Sequence, residues 1–333
     1  MSNKIRVGIL GCASIAKRSL APAFTAHPQF DIVAIASRTT ENAVEFAAKY
    51  GARPCSYNEL VAAEDLDFIY CPLPTGLHAE WVARCLLAGK HVLCEKSLAC
   101  TYEEVSRLVD LARTHNLLLM ESFQFRFHAQ NLYVKKLLQE GAVGPLRQVI
   151  IRFGIPPFPE GKANIRYSKE LGGGALLDNG AYTLKAASYL LGDELTVLAA
   201  MCDINRPDKD GVGDDVDLTG SIMLRTADGV SVQTAYGFSH FYQNGYEIWG
   251  KDGKITTTRA FTARSDFAAP VILETREGRQ EQTFQDDHFQ NLLSHISDCF
   301  VSGAFEEEYR QNLLQARLLA DTVCLMEKEG GRT

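Results

Sequence analysis

The first 122 residues alternate between short apolar segments and amphipathic segments, and no other feature of the sequence limits the fold as strongly. Five or six apolar runs have the length and composition of buried strands, and a helical pattern follows almost every one. This repetition is typical of a doubly wound parallel sheet. We therefore predict an α/β protein in which residues 1–122 form an N-terminal domain of this kind.

A glycine turn follows the first strand. It consists of Gly11, Cys12, Ala13, Ser14 and Ile15, and a helical stretch comes next. A strand, a tight turn and a helix N-terminus are the layout that holds a pyrophosphate on free backbone N–H groups, so these five residues are predicted to bind a dinucleotide. The G-x-G-x-x-G pattern is incomplete, because Ala13 and Ala16 stand at two of its glycine positions. The alternative is an ordinary strand-to-helix turn.

The end of the second strand indicates which dinucleotide binds. A carboxylate at this position would hydrogen-bond the free 2′-hydroxyl of NAD, but the residues here are Ser37, Arg38 and Thr39. A guanidinium between two hydroxyls suits a 2′-phosphate. We predict that these residues bind NADP(H) in preference to NAD(H). The alternative is a surface arginine at the start of a helix that Thr39 or Thr40 caps.

Two later segments, both predicted to contact the cofactor, follow strands that should end at the same edge of the sheet. The first is a stiff loop with Pro72, Leu73 and Thr75, and it leads to His78, which either contacts the cofactor or serves as a structural hydrogen-bonding residue. The second ends in Glu95 and Lys96. The Lys96 ammonium could orient a substrate oxygen, support a proton transfer or act as a base. The alternative is a solvated Glu-Lys pair.

The pattern changes after residue 122. Asp-Gly and Glu-Gly turns separate β-rich runs, which predicts a large, mostly antiparallel open sheet. Residues 123–333 are therefore predicted to form an α+β domain for substrate binding and oligomerisation, as a homodimer or homotetramer, with a C-terminal helix that can pack back on the first domain. Three glycines at 172–174 lead into a helix that should place Asp178 and Tyr182 on one face. Residues 158–168 are expected to form a loop near the site.

Five motifs run in order along the chain and together resemble one family. They are the Gly8–Ala16 segment, the Pro74-Thr75-Gly76-Leu77-His78 loop, the Ala88–Lys96 segment, Arg126-Phe127-His128, and the Gly172–Asp178 segment. In this combination they are similar to the Gfo/Idh/MocA oxidoreductases. The resemblance implies a Rossmann domain, a pyridine nucleotide, a sugar, cyclitol or related polyol as substrate, and Lys96 at the catalytic centre.

Two positions depart from the common family pattern. Ser97 stands where the family has a proline, so a cis or kinked peptide there cannot be assumed. Tyr182 stands where histidine is frequent. A tyrosine at this position resembles the family branch that contains sugar-nucleotide 3-ketoreductases, glucose-fructose oxidoreductase and the dihydrodiol and xylose dehydrogenases. This resemblance implies that Lys96 and Tyr182 are the catalytic pair. Asp178 would orient Lys96, bind a substrate hydroxyl or serve as a structural carboxylate.

The resemblance favours an NADPH-dependent reductase of a 3-keto sugar, most of all a nucleotide-linked one. An NADP-dependent dehydrogenase of free aldoses or trans-dihydrodiols would use the same residues in the oxidative direction. The family also includes regulators without turnover and glycosidases with a tightly held NAD. The presence of both Lys96 and Tyr182 argues against a regulator. Arg38, together with the absence of a histidine at position 182, argues against a glycosidase.

Composition excludes several other classes of protein. A net charge of −7 without a basic run argues against a nucleic-acid partner. The 9 cysteines are scattered and never spaced as C-x-x-C, so we expect neither disulfides nor a metal site. No apolar run approaches the roughly 20 residues that span a bilayer. These features predict a soluble cytoplasmic protein with no membrane partner.

Overall fold

The computed structural model describes residues 4–158, 164–205 and 215–330. Within the predicted loop 158–168, residues 159–163 therefore lie outside the described residues. The chain forms two compact units, one of Met1–Ser122 with Phe289–Leu313 and the other of Phe123–His288 with Leu314–Thr333. In the predicted division, all residues after 122 belonged to the second domain.

The strands, in chain order, are β1 (Ile5–Leu10), β2 (Phe30–Ala36), β3 (Arg53–Cys55), β4 (Phe68–Cys71), β5 (His91–Glu95), β6 (Leu119–Ser122), β7 (Leu146–Gly154), β8 (Leu195–Asn205), β9 (Val216–Thr226), β10 (Ser231–Gly237), β11 (Gln243–Gly250), β12 (Gly253–Thr257), β13 (Ala269–Thr275) and β14 (Gly278–Phe284). The helices are α1 (Ala21–Ala26), α2 (Thr40–Ala48), α3 (Tyr57–Ala62), α4 (Thr75–Leu87), α5 (Tyr102–His115), α6 (Ala129–Gln139), α7 (Ala181–Leu191), α8 (His288–Ser302) and α9 (Glu306–Gly330). One π-helical turn (Ala16–Leu20) precedes α1, and another (Leu176–Gly180) precedes α7.

The first unit contains a parallel sheet of six strands in the order β3-β2-β1-β4-β5-β6. This order reverses direction between β1 and β4, as in dinucleotide-binding folds. The central strands are apolar and buried on both faces, as in β4, where all four residues are buried. The predicted doubly wound parallel sheet is confirmed.

Helix α8 and the first part of α9 belong to the first unit because their apolar and amide side chains pack on its strands. The Phe300 ring lies 4.3 Å from the His91 ring and 5.7 Å from the Phe68 ring, centroid to centroid. In α9, Asn312 Nδ2 donates to the Leu119 carbonyl at 2.9 Å. The sequence predicted that a C-terminal helix can pack back on the first domain, but the side chains that make these contacts lie far apart in the sequence.

The second unit contains a sheet of eight strands in the order β14-β13-β12-β11-β7-β10-β9-β8. All neighbours are antiparallel except β7 and β10, which run parallel. The three predicted turns connect antiparallel neighbours, namely β9 to β10, β11 to β12 and β13 to β14. The predicted mostly antiparallel open sheet is therefore confirmed.

The two faces of this sheet differ in exposure. One face buries Val149, Ile151 and Tyr236 in a core that includes residues of α7. On the other face, Met201 is 67% exposed and Met223 is 45% exposed, with Trp249 at 39%. Among the described residues, no helix combines the length and apolar character needed to cross a membrane.

Candidate active site

The predicted cofactor residues of the first unit follow strands that end at one edge of the parallel sheet. The register pairs Leu10 with Ala36 and Cys71 with Cys94, so β1, β2, β4 and β5 end at similar heights. The turn after β1, the Ser37–Thr39 segment, the Pro72–Thr75 loop and Lys96 all come directly after these ends. In open α/β sheets this carboxyl edge is where ligands bind.

Gly11 is required by the geometry of the first turn. Its φ is +125°, and an added Cβ would lie 3.0 Å from Leu73 Cδ2. Its N–H donates to the Ala36 carbonyl at 3.0 Å, which fixes the turn against β2. Ser14 is exposed, and Cys12, Ala13 and Ile15 are partly exposed, so the turn is accessible to a ligand. One glycine is thus sufficient for the backbone conformation, with alanine tolerated at 13 and 16.

Arg38 is an exposed cation directly beyond β2. Its guanidinium forms neither an ion pair nor a hydrogen bond with any residue that the structure describes. Thr39 is the residue before α2, but its side chain makes no capping hydrogen bond. The Thr39 N–H lies 3.4 Å from Ser37 Oγ, a long contact. Ser37 also forms a side-chain hydrogen bond with Cys12. Among the described residues, the Thr39 hydroxyl and the Arg38 guanidinium have no such partner, so both are available for a phosphate at this edge.

His78 is completely buried in α4. One ring nitrogen, Nδ1, lies 2.8 Å from the Ser97 carbonyl oxygen, and Nε2 lies 2.7 Å from that of Leu73. Burial lowers the pKa of His78, and the two carbonyl contacts offset part of that effect. The ring connects two loops of the sheet edge, so the geometry favours the structural alternative for this residue.

The Glu95-Lys96 segment is held by buried carboxylates. Tyr70 donates its hydroxyl to Glu95 Oε1 at 2.8 Å, and the Leu98 N–H donates to Glu121 Oε1 at 2.9 Å. Burial raises the pKa of Glu95. The Lys96–Ser97 peptide is cis, although serine replaces the family proline. Sequence reasoning missed Tyr70 and Glu121; the only signal was a glutamate inside an apolar strand.

Cys71, His78 and Cys94 bring three possible metal-ligand atoms within 4.8 Å of one another. All three side chains are buried. Burial raises the pKa of the Cys94 thiol well above its ordinary value. Both ring nitrogens of His78 already lie within hydrogen-bonding distance of carbonyl oxygens.

In the second unit, Tyr182 is 7% exposed and stands in an aromatic pocket. Its ring lies 5.3 Å from Phe123, 5.2 Å from Phe153 and 5.8 Å from Phe261, centroid to centroid. The hydroxyl lies 3.4–3.5 Å from the side-chain amide of Gln124, a long contact. The pocket holds the ring in one orientation, with its hydroxyl beside the Gln124 amide. Sequence reasoning did not single out Gln124.

Asp178 lies in the π-helical turn one turn before Tyr182, and it accepts a hydrogen bond from Arg166 Nε at 2.5 Å. This contact was not foreseen, because Arg166 belongs to a loop without a motif. The start of the same turn is fixed by Asp217, whose Oδ2 accepts from the Leu176 N–H at 2.6 Å. Burial raises the pKa of Asp217 to about 6.

Each unit carries its own set of candidate functional groups. The first has a glycine turn, an exposed arginine and an immobilised lysine segment at a ligand-binding edge, which suits a dinucleotide phosphate. The second has a positioned phenol and a carboxylate-arginine pair, which suit proton transfer and polar recognition. Taken unit by unit, these groups fit an oxidoreductase of the dinucleotide-binding class.

Two protein-family models match this chain, and both belong to this class of oxidoreductase. Residues 5–123 match the oxidoreductase family with an NAD-binding Rossmann fold, and residues 131–256 match the GFO/IDH/MocA C-terminal domain. The chain belongs to the Gfo/Idh/MocA oxidoreductase family. The predicted resemblance is confirmed.

Three individual relatives are similar to this chain over most of its length. A dTDP-3,4-didehydro-2,6-dideoxy-alpha-D-glucose 3-reductase from Saccharopolyspora spinosa is 43% identical over 83% of this chain and 81% of its own length. A D-xylose 1-dehydrogenase (NADP(+)) from Haloferax volcanii is 32% identical over 95% of each chain. The crystal structure of a 3-ketoreductase from Actinomadura kijaniata with NADP and TDP-benzene superimposes with a TM-score of 0.91 and 38% identity, covering 97% of this chain and 98% of that one.

Proposed function

We propose that this protein is an NADPH-dependent reductase of a 3-keto group in a dTDP-linked deoxysugar. The observation that carries the proposal is the whole-chain likeness to the 3-ketoreductase bound to NADP and TDP-benzene, with a TM-score of 0.91 at 38% identity. That likeness covers 97% of this chain, so it includes both units.

The cofactor edge supports NADPH rather than NADH. Arg38 is exposed and forms no ion pair with a described residue, and Ser37 and Thr39 flank it with hydroxyls. A planar guanidinium binds a phosphate through two parallel hydrogen bonds, whereas NADH has no 2′-phosphate to offer. We assign the pyrophosphate to the turn of Gly11, Cys12, Ala13, Ser14 and Ile15.

NADPH, when bound, supplies a hydride to the carbonyl carbon of the sugar. In the proposed reaction, the Tyr182 hydroxyl then gives its proton to the carbonyl oxygen. A phenol has an ordinary pKa of about 10, so it releases a proton at neutral pH only with help. The Lys96 ammonium provides this help by stabilising the phenolate. Pairing Lys96 with Tyr182 follows from the family resemblance.

The direct test follows NADPH oxidation by the purified protein with a dTDP-linked 3-keto-deoxysugar, and identifies the product as the 3-hydroxy sugar. Turnover with the nucleotide-linked sugar, and none with the free sugar, is the expected result. Absence of turnover at any NADPH and substrate concentration would reject the proposal.

A second candidate is NADP-dependent oxidation of a free aldose, favoured by the 32% identity with a D-xylose 1-dehydrogenase. The same residues would then work in reverse, with the Tyr182 phenolate taking a proton from the sugar hydroxyl. Reduction of NADP with D-xylose, at a kcat/KM above that of the keto-sugar reaction, would favour this candidate.

We also propose that the protein works in the cytoplasm as a homodimer or homotetramer. The nine cysteines are scattered and never spaced as C-x-x-C, a pattern that fits a reducing compartment. The exposed face of the eight-stranded sheet carries Met201, Met223 and Trp249, and exposed apolar side chains grouped on one face are typical of a subunit interface.

A further inference from the structure

Arg166 carries an unused hydrogen-bonding edge beside Asp178. Its Nε donates to Asp178 Oδ2 at 2.5 Å, and its guanidinium carbon lies 4.8 Å from the centre of the Phe158 ring. The two terminal nitrogens make no hydrogen bond to any described residue. The side chain of Arg166 is 38% exposed, while that of Asp178 is only 17% exposed.

The loop that bears Arg166 is fixed to the start of the Tyr182 helix. The Gly174 N–H donates to the Arg166 carbonyl at 2.9 Å, and the Gly173 N–H donates to the Ser168 carbonyl at 2.8 Å. A Cβ on Gly173 would lie 2.6 Å from the Arg166 carbonyl oxygen, so only glycine permits this approach. Arg166 is therefore held in place by its backbone as well as by its side chain.

Asp178 binds the guanidinium from the Nε side, which leaves the opposite edge with both terminal nitrogens. That edge presents two parallel N–H donors, the geometry that binds two oxygens of a phosphate at once. An aromatic cluster adjoins it: Phe158 lies 5.4 Å from Phe238 and 6.1 Å from Tyr167. A cation beside aromatic rings is a chemical match for a nucleoside diphosphate, whose base can stack and whose phosphates are anionic.

We propose that Arg166, oriented by Asp178, binds the diphosphate of the nucleotide-linked substrate and so selects nucleotide-linked sugars over free sugars. This inference rests on the proposed function, because it takes the substrate to be a nucleoside diphosphate sugar. It assigns Asp178 a positioning role toward Arg166, one turn away from the proposed acid Tyr182.

Calorimetric titrations of TDP, thymidine and NADPH test the inference in the wild type, Arg166→Ala and Arg166→Lys. In the wild type, TDP should bind more tightly than thymidine. In Arg166→Ala, TDP should bind at least tenfold more weakly, about 1.4 kcal/mol, while thymidine and NADPH keep their affinities. Arg166→Lys should fall between, since lysine retains the charge but not the two-pronged donor. Arg279→Ala, which removes an arginine paired with Glu281 on β14, is the matched control.

The titrations separate a failure of the proposed substrate class from a failure of the proposed role of Arg166. A wild type that does not bind TDP would reject the proposed substrate class, and this inference with it. A wild type that binds TDP, with TDP affinity unchanged in Arg166→Ala, would overturn the inference alone. Equal weakening of TDP, thymidine and NADPH in Arg166→Ala would also overturn it, because Arg166 would then support the fold and not the diphosphate. Unchanged thymidine affinity serves as the check that the variant is folded.

Discussion

At the scale of single residues, the proposed preference for NADPH depends on the position of Arg38. Parallel strands end at a common edge, so the residue after β2 faces the adenosine ribose in any fold with this strand order. An arginine there without a described ion pair has its charge available for a ligand. A 2′-phosphate is the group that distinguishes NADPH from NADH at this place.

Arg38→Ala should therefore weaken NADPH binding by at least tenfold, about 1.4 kcal/mol, and leave NADH binding nearly unchanged. Fluorescence titration of both cofactors into the wild type and the variant measures this. Arg18→Ala, at an exposed arginine of the π-helical turn that precedes α1, controls for the loss of a positive charge in the same unit. A wild type with equal affinity for the two cofactors would contradict the assignment.

Tyr182→Phe should remove the proposed proton donor without disturbing the aromatic pocket, since phenylalanine keeps the ring contacts with Phe123 and Phe153. We expect kcat to fall by roughly 10² while NADPH affinity stays the same, because general acid catalysis typically contributes 10²–10⁴. Steady-state kinetics and cofactor titration measure the two quantities. A loss in kcat below about tenfold would show that another group donates the proton.

At the scale of structural elements, the loop of residues 164–168 and the glycine segment before α7 act as one piece. Gly173 shows this most clearly, because the atoms that a Cβ would meet are the carbonyl oxygens of Arg166 and Ser168, at 2.6 and 2.7 Å. Backbone atoms cannot rotate away as a flexible side chain does. Any side chain at position 173 must therefore displace the loop.

Gly173→Ala should lower the free energy of unfolding by about 1–3 kcal/mol and weaken TDP binding with it. Gly51→Ala is the control, because Gly51 has a φ of +65° but nothing within 4 Å of an added Cβ. It should cost only the backbone strain of about 1–2 kcal/mol and leave TDP binding unchanged. Urea denaturation and TDP titration provide both readouts. Intact TDP binding in Gly173→Ala would contradict the coupling of loop and helix.

Elements were more predictable from the sequence than the contacts between them. Strand-helix alternation predicted the parallel sheet, and Asp-Gly and Glu-Gly turns predicted three connections of the antiparallel one, since both signals are local. The position of the predicted cofactor residues at the ends of parallel strands followed from topology. The pairs Tyr70–Glu95 and Arg166–Asp178 did not, because they join residues 25 and 12 positions apart through side-chain geometry that no local pattern encodes.

Helices α8 and α9 are joined by a titratable contact. His295 Nε2 lies 3.0 Å from Glu308 Oε1 and 3.5 Å from Cys299 Sγ. Hydrogen bonding to Cys299 and to Glu308 raises the pKa of His295 from 6.5 to about 9. A pKa raised by folding means that the protonated ring stabilises the folded state. This stabilisation is complete below about pH 6.5 and is lost as the pH rises through about 9.

The melting temperature of the wild type should therefore fall more steeply between about pH 6.5 and pH 9.5 than that of His295→Gln, by about 1–3 °C. His115→Gln, at an exposed histidine ending α5, is the control and should behave like the wild type. Thermal melts over this pH range measure the difference. Parallel curves for the wild type and His295→Gln would refute the contribution of this contact.

At the scale of the whole molecule, the eight-stranded sheet leaves one face without a described partner in the chain. The register places Met223 beside Ala199 on β8 and Gln233 on β10, so these side chains share the face. Ile150 and Glu247 continue the same row across β7 and β11. This row of side chains is mainly apolar near β8 and polar near β11. A second copy of the sheet can cover its apolar part.

Met223→Glu should therefore shift the protein from the proposed dimer or tetramer toward the protomer mass of 36.8 kDa. Burying a carboxylate between two sheets would leave it unpaired, and the cost of desolvation exceeds what the rest of the contact can offset. Light scattering after gel filtration measures the mass. Val301→Glu is the matched control, because Val301 is 85% exposed on α8 and lies outside this sheet. A wild type that already elutes at the protomer mass would contradict the proposed assembly, and an unchanged oligomer in Met223→Glu would place the interface elsewhere on the surface.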